Sequence, residues 1–141
     1  MKLYQLSIIA VAGVLLSACA GLLQPSHTIV GTWEMVSGGI KDKGVFTSLE
    51  KVDGKVYKTI EFRDDGTFTE VCEGLTASGT YSFNSTGIKY SYSSVPEGGP
   101  AYFAIHKSGL WTYMFWEDDF VTLYDFSSPT YEVSMSFRLK N

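Results

Sequence analysis

The feature that most restricts this chain is a period-two alternation of apolar and polar residues that begins after Ile29 and lasts to Leu139. Successive Cβ atoms of a strand point to opposite sides of the pleat, so such alternation marks half-buried strands. Nine runs carry it: Val30 to Val36, Lys55 to Phe62, Thr67 to Cys72, Ser78 to Phe83, Ile88 to Ser93, Tyr102 to His106, Leu110 to Trp116, Phe120 to Phe126 and Tyr131 to Leu139. Between them stand Asp64-Asp65-Gly66, Asn84-Ser85-Thr86-Gly87, Pro96 to Pro100, Ser108-Gly109, Glu117-Asp118-Asp119 and Ser127-Ser128-Pro129, the residue types that reverse a chain. No long segment keeps a helical period. Short strands spaced this way build an all-β barrel or sandwich, and periodicity alone leaves both open.

Alternation also assigns faces. Tyr131, Val133, Met135, Phe137 and Leu139 share one side of the last run, and Glu132, Ser134, Ser136 and Arg138 the other, so the first set points inward. The same reading turns Trp33, Met35, Val56, Ile60, Phe62, Tyr81, Phe83, Ile88, Tyr90 and Tyr92 inward. Phe62 and Phe68 reach the same side across Asp64-Asp65-Gly66 only through a loop of odd length, and a three-residue loop with a left-handed Gly66 meets that condition. The hairpin from Leu110 to Phe126 departs from the pattern, with Trp111, Tyr113 and Phe115 on one face and Leu110, Met114 and Trp116 on the other. An apolar outer face is either covered by the protein's own chain or offered to a partner.

Ahead of the strands, Lys2 precedes an apolar run from Leu6 to Leu16, too short to span a bilayer, which reads as a secretory signal peptide over residues 1–18. It ends in Leu16-Ser17-Ala18-Cys19, which resembles the bacterial lipobox. The resemblance implies lipid attachment at Cys19, a lipoprotein carrying acyl chains such as palmitate, and a membrane anchor, since each buried methylene contributes ~0.8 kcal/mol. Ala20 in place of Asp points by the usual bacterial sorting pattern to the outer membrane, facing the periplasm. Residues 19–28 then form the lipid anchor and tether, and residues 29–141 the folded domain. With Cys19 acylated, Cys72 is the sole remaining thiol, so no internal disulfide forms. Fifteen acidic and ten basic residues follow position 18, a net charge of −5, the wrong sign for a nucleic-acid binder.

Residues that carry chemistry are few. His27 and His106 lack companions at metal-ligand spacing, no Gly-x-Ser-x-Gly elbow or phosphate-cradling glycine loop occurs, and Glu117-Asp118-Asp119 reads as a solvated hairpin tip. No cofactor or metal is expected, and the protein is read as a non-enzyme. Lys58 and Glu70 are the exceptions: both fall inward by alternation, and a three-residue turn sets them diagonally across from one another. They either pair inside, where they orient a ligand head group, or turn outward with the local twist. Cys72 shares their face as a small apolar residue.

Gly31-Thr32-Trp33 on the first strand, a long connection, Asp64-Asp65-Gly66-Thr67-Phe68 and then Gly79-Thr80-Tyr81 resemble, in order and spacing, the small bacterial lipocalin-like domains, many of them lipoproteins. The resemblance implies an antiparallel up-and-down β-barrel of about eight strands, a size whose interior is filled by side chains or holds one small ligand. It implies that Arg138 packs over Trp33 and closes one barrel end. It also suggests that the connection from Ser37 to Gly54 lies over the mouth with Phe46 and Leu49 as a lid, or else is tacked to the outer wall; Thr47-x-x-Glu50 has the form of a capping box for one helical turn.

The expected function is a membrane-anchored lipocalin-like lipoprotein that binds or carries a small hydrophobic ligand in the cell envelope. The expected pocket is Trp33, Phe62, Phe68, Tyr90, Tyr113 and Phe115 with Lys58 and Glu70. The alternative is a structural module with a filled barrel that docks an envelope protein through Met114 and Trp116. A third, weaker reading is an enzyme using Lys58, Glu70 or Cys72.

Overall fold

The computed structural model describes residues 27–48, 58–97, 108–126 and 131–141. Its elements are all strands: β1 Gly31–Asp42, β2 Val45–Ser48, β3 Lys58–Phe62, β4 Thr67–Cys72, β5 Leu75–Asn84, β6 Gly87–Ser94, β7 Ser108–Glu117, β8 Phe120–Asp125 and β9 Tyr131–Leu139. Each pairs antiparallel with its neighbour in the order β2-β1-β3-β4-β5-β6-β7-β8-β9, and β1 also pairs with β9. That last pairing closes β1 and β3 to β9 into the expected eight-stranded up-and-down barrel, and β2 is an extra strand laid on β1. Closure satisfies backbone groups that an open edge would leave unpaired.

Most assigned faces are correct. Trp33, Met35, Ile60, Phe62, Phe68, Ile88, Tyr90, Trp111, Val121, Leu123, Val133, Met135 and Phe137 are buried in one core, with Tyr81, Phe83, Tyr92, Tyr113 and Phe115 packed on it. The loop after β3 has the expected geometry. Phe62 pairs with Phe68, Arg63 N donates to Thr67 O at 2.9 Å, and Gly66 takes φ 80°. Only glycine adopts that conformation without strain. Two further hairpins turn on the two-residue pairs Lys43-Gly44 and Glu73-Gly74, whose positive φ values at both positions match the right-handed twist of the strands.

The first connection is different from its expectation. Ser37 to Asp42 continue β1, and Val45–Ser48 folds straight back on it, with Lys41 opposite Phe46 and Gly39 opposite Ser48. Phe46 is thus part of a strand paired to β1 rather than a loop across the mouth, and Thr47 does not cap a helical turn; Leu49, Glu50, Val56 and the Tyr102 to His106 run lie outside the described residues. The cause is a bulge between Met35 and Ser37. One extra residue reverses the in-out parity, so Gly38, Ile40 and Asp42 take the inner positions and the alternation is broken in the sequence.

The barrel ends differ. At the entry end, where the chain enters β1, Ile29 is buried, its carbonyl accepts the Trp33 indole N–H at 2.8 Å, and His27 stacks on Phe115 at 4.6 Å. His27 Nδ1 also lies 3.0 Å from Asp118 Oδ1. The folded part therefore takes in His27 and Thr28, which the sequence assigned to the tether. At the other end lie the β1–β2 and β4–β5 turns and the strand ends that flank residues 49–57, 98–107 and 127–130.

Candidate functional site

Ring contacts cross the barrel midway. Phe62 of β3 and Phe68 of β4 meet Trp111 of β7 at 6.4 and 6.2 Å, and Trp111 stacks on Tyr90 at 4.1 Å. Together with Trp33 and Phe115, 6.1 Å apart near the entry end, these side chains occupy the lumen there. The expected pocket residues therefore divide. Trp33, Phe62, Phe68 and Phe115 are packing partners of one another, Tyr113 sends its hydroxyl to the Asn84 carbonyl at 3.0 Å, and Lys58 and Glu70 stand apart from them at the far end.

That far end is polar inside. Lys58 and Glu70 are 1% and 0% exposed and form an ion pair, which decides between the inward and outward alternatives. Ile60 pairs with Glu70 and Lys58 with Cys72, the diagonal arrangement expected from the loop. Lys58 Nζ also lies 3.5 Å from Met135 Sδ, and the Tyr92 hydroxyl donates to Glu70 Oε2. A second pair stands beside the first, with the Tyr90 hydroxyl donating to Asp125 Oδ2 at 2.9 Å.

Small residues make both reaches possible. Tyr92 crosses β5 to β4, and the buried residue opposite Glu70 on β5 is Ala77, against which Tyr92 packs. Tyr90 crosses β7 to β8 over Gly109, its partner in the ladder, where a Cβ would come within 2.7 Å of the phenol oxygen. A larger side chain at either position would break the bridge.

Burial dominates the electrostatics. It pushes Lys58 from 10.5 down to about 8, against the upward pull of Cys72 and Asp125. The Cys72 thiol is pushed up to about 11, so it stays protonated at neutral pH and is a poor nucleophile. Tyr90 and Tyr92 are raised as well, first by burial and then by neighbouring groups, Asp125 among them. Both phenols therefore act as donors. Among the described residues no group of three or more His, Cys, Asp or Glu side chains is placed to hold a metal ion.

Arg138 does not close the barrel over Trp33. It pairs with Phe120 on β8, lies 2.9 Å from Asp119 and 3.8 Å from Glu117, and covers the Phe120 ring at 4.9 Å, all on the outer wall. The reason is parity: Leu139, not Arg138, is the partner of Trp33. The β7 outer face keeps its apolar residues exposed, with Leu110 at 43%, Met114 at 46% and Trp116 at 58%. Trp116 is held there by its indole N–H on Thr122 Oγ1 at 2.9 Å.

Tyr92, Asp125 and Asp42 were not among the expected site residues. Parity with Val121 and Leu123 is enough to turn Asp125 inward, and Tyr92 was expected inside but not as a partner of Glu70. Asp42 stayed hidden because the bulge precedes it. Comparison with known protein families, curated proteins and solved structures returned no match.

Proposed function

We propose that this protein is a lipid-anchored barrel of the bacterial envelope that binds a small amphipathic molecule at its polar end, with the molecule's head group against Lys58, Glu70, Tyr92, Tyr90 and Asp125. One observation carries the reading: an ion pair and two phenol–carboxylate bonds are gathered on the inner wall of a barrel whose other half is packed with rings. Stability does not require such a group, because a buried ion pair is often no better than apolar residues of equal volume. A binding site does require it, since a few placed polar groups in an apolar wall orient a ligand. Attachment through Cys19 rests on the Leu16-Ser17-Ala18-Cys19 pattern.

Two experiments test this. Cells fed labelled palmitate incorporate it into the parent protein and not into Cys19→Ser, and the variant leaves the membrane fraction; equal labelling rejects the anchor. Native mass spectrometry of the Cys19→Ser chain from the periplasm, followed by solvent extraction, yields a discrete adduct of small mass. A clean apo mass, together with no melting shift across a panel of amphipathic molecules, rejects the carrier.

A second reading has its own observation. The exposed row of Leu110, Met114 and Trp116 fits a module that docks an envelope protein. In that case Trp116→Ala abolishes the contact and leaves ligand binding intact.

A further inference from the structure

From the hydrogen-bond inventory of the polar end, we infer that the molecule bound there carries a cationic or hydrogen-donating head group, a primary ammonium in its simplest form, and not a carboxylate. This rests on the reading that the ligand enters at that end, and it narrows the ligand's chemistry.

Among the described residues both phenol donors are already used, and Lys58 keeps one N–H beyond those it gives to Glu70 and Met135 Sδ. Lys58 is held by Glu70, the Tyr92 hydroxyl by Glu70 and the Tyr90 hydroxyl by Asp125. The phenol oxygens of Tyr90 and Tyr92 keep acceptor positions after donating, and an ionised carboxylate such as Glu70 offers about four lone-pair positions, so the site favours a donor. An independent sign comes from β1. Asp42 follows Ile40 on the inner face, and its Oδ1 is buried without a hydrogen-bond partner. Ile40 and Asp125 both pair with Val133, so Asp42 and Asp125 sit on the same inner wall, two strands apart, at the same end as Lys58 and Glu70.

Charge agrees with the inventory. Among the described residues Lys58 pairs with Glu70 and feels the charge of Asp125, and Asp42 stands on the same wall, so three carboxylates accompany one ammonium there. An incoming carboxylate would share Lys58 with Glu70 and would meet like charge in a poorly solvated place. An ammonium instead donates to oxygens that burial has stripped of water, where charge-assisted bonds are strongest.

The test is calorimetric titration of the whole chain carrying Cys19→Ser with hexylamine, hexanol and hexanoate at neutral pH. Hexylamine is expected to bind at least about tenfold more tightly than hexanol, and hexanoate more weakly than either. Asp42→Asn is the sharpest variant, because no hydrogen bond to Oδ1 is lost. It is expected to weaken hexylamine about tenfold while leaving hexanol unchanged and the melting temperature intact. Asp118→Asn, on the outer turn, is expected to leave hexylamine affinity unchanged.

Each failure has a separate meaning. Tighter binding of hexanoate than of hexylamine overturns the head-group assignment and leaves the ligand site standing. Hexylamine binding that responds to Asp118→Asn as much as to Asp42→Asn is attraction to an acidic surface, and also overturns it. Binding of none of the three overturns both this inference and the reading beneath it.

Discussion

Replacing Lys58 by methionine removes one charge from the inner wall while keeping a side chain of similar length, so little cavity is opened. The variant strands Glu70, fully buried, with Tyr92 as the donor left to it among the described residues. Removing one partner of a buried ion pair costs about 3–5 kcal/mol, and the surviving phenol bond places the loss near the lower figure, about 3 kcal/mol. For a domain slightly above 100 residues, each kcal/mol moves the midpoint by about 4 °C, so the melting temperature falls by roughly 12 °C. Urea unfolding of the parent, Lys58→Met, Glu70→Leu with Tyr92→Phe, and the combination of all three provides the assay. The combination, which leaves no unpaired charge, recovers most of the loss. Its pH behaviour is a second readout. Lys58 titrates near 8 in the folded state and near 10.5 when free. Between those values the unfolded chain binds more protons, so this group makes stability rise with pH, and Lys58→Met abolishes that rise. A loss below about 1 kcal/mol for Lys58→Met, the size of a surface pair, would refute the reasoning.

Three further outcomes follow from the same structure. Gly79→Ala places a Cβ 2.2 Å from the Ser91 carbonyl oxygen and 2.7 Å from the Phe68 ring; β5 and β6 must part, and denaturant unfolding shows a loss of at least about 2 kcal/mol. Cys72 runs opposite to Lys58, because its folded value is raised to about 11 from 9.0. The unfolded thiol ionises first, stability is lost as pH rises from 9 to 11, and Cys72→Ala shows a shallower decline in melts across that range. Arg138→Ala removes an exposed pair on the outer wall, so its stability changes by less than about 1 kcal/mol; a larger loss would restore the barrel-closing role that the geometry denies it.

Much of the fold was legible because strands write their faces into the chain. On β9 the parity of Val133, Met135 and Phe137 is unbroken, and all three are buried. Gly66 announced its loop, and the loop in turn set Lys58 diagonal to Glu70. Where one residue is inserted the pattern fails. The bulge after Met35 hid the second half of β1, turned a strand pair into an expected lid, and concealed Asp42.

The sequence by itself determined the strand class and the inner face of most strands, since each is a property of neighbours along the chain; the proposed anchor at Cys19 rests on the sequence pattern alone. Tertiary structure decided what those faces meet. Closure of β1 on β9 made the sheet a barrel, and the crossing of Phe62 and Phe68 to Trp111 filled its middle. Ala77 and Gly109 let Tyr92 and Tyr90 reach carboxylates two strands away. The ring contacts and phenol bonds join residues 22 to 49 positions apart and closure joins residues up to 106 apart, and no local period encodes them, because they depend on the diameter and register of the closed sheet.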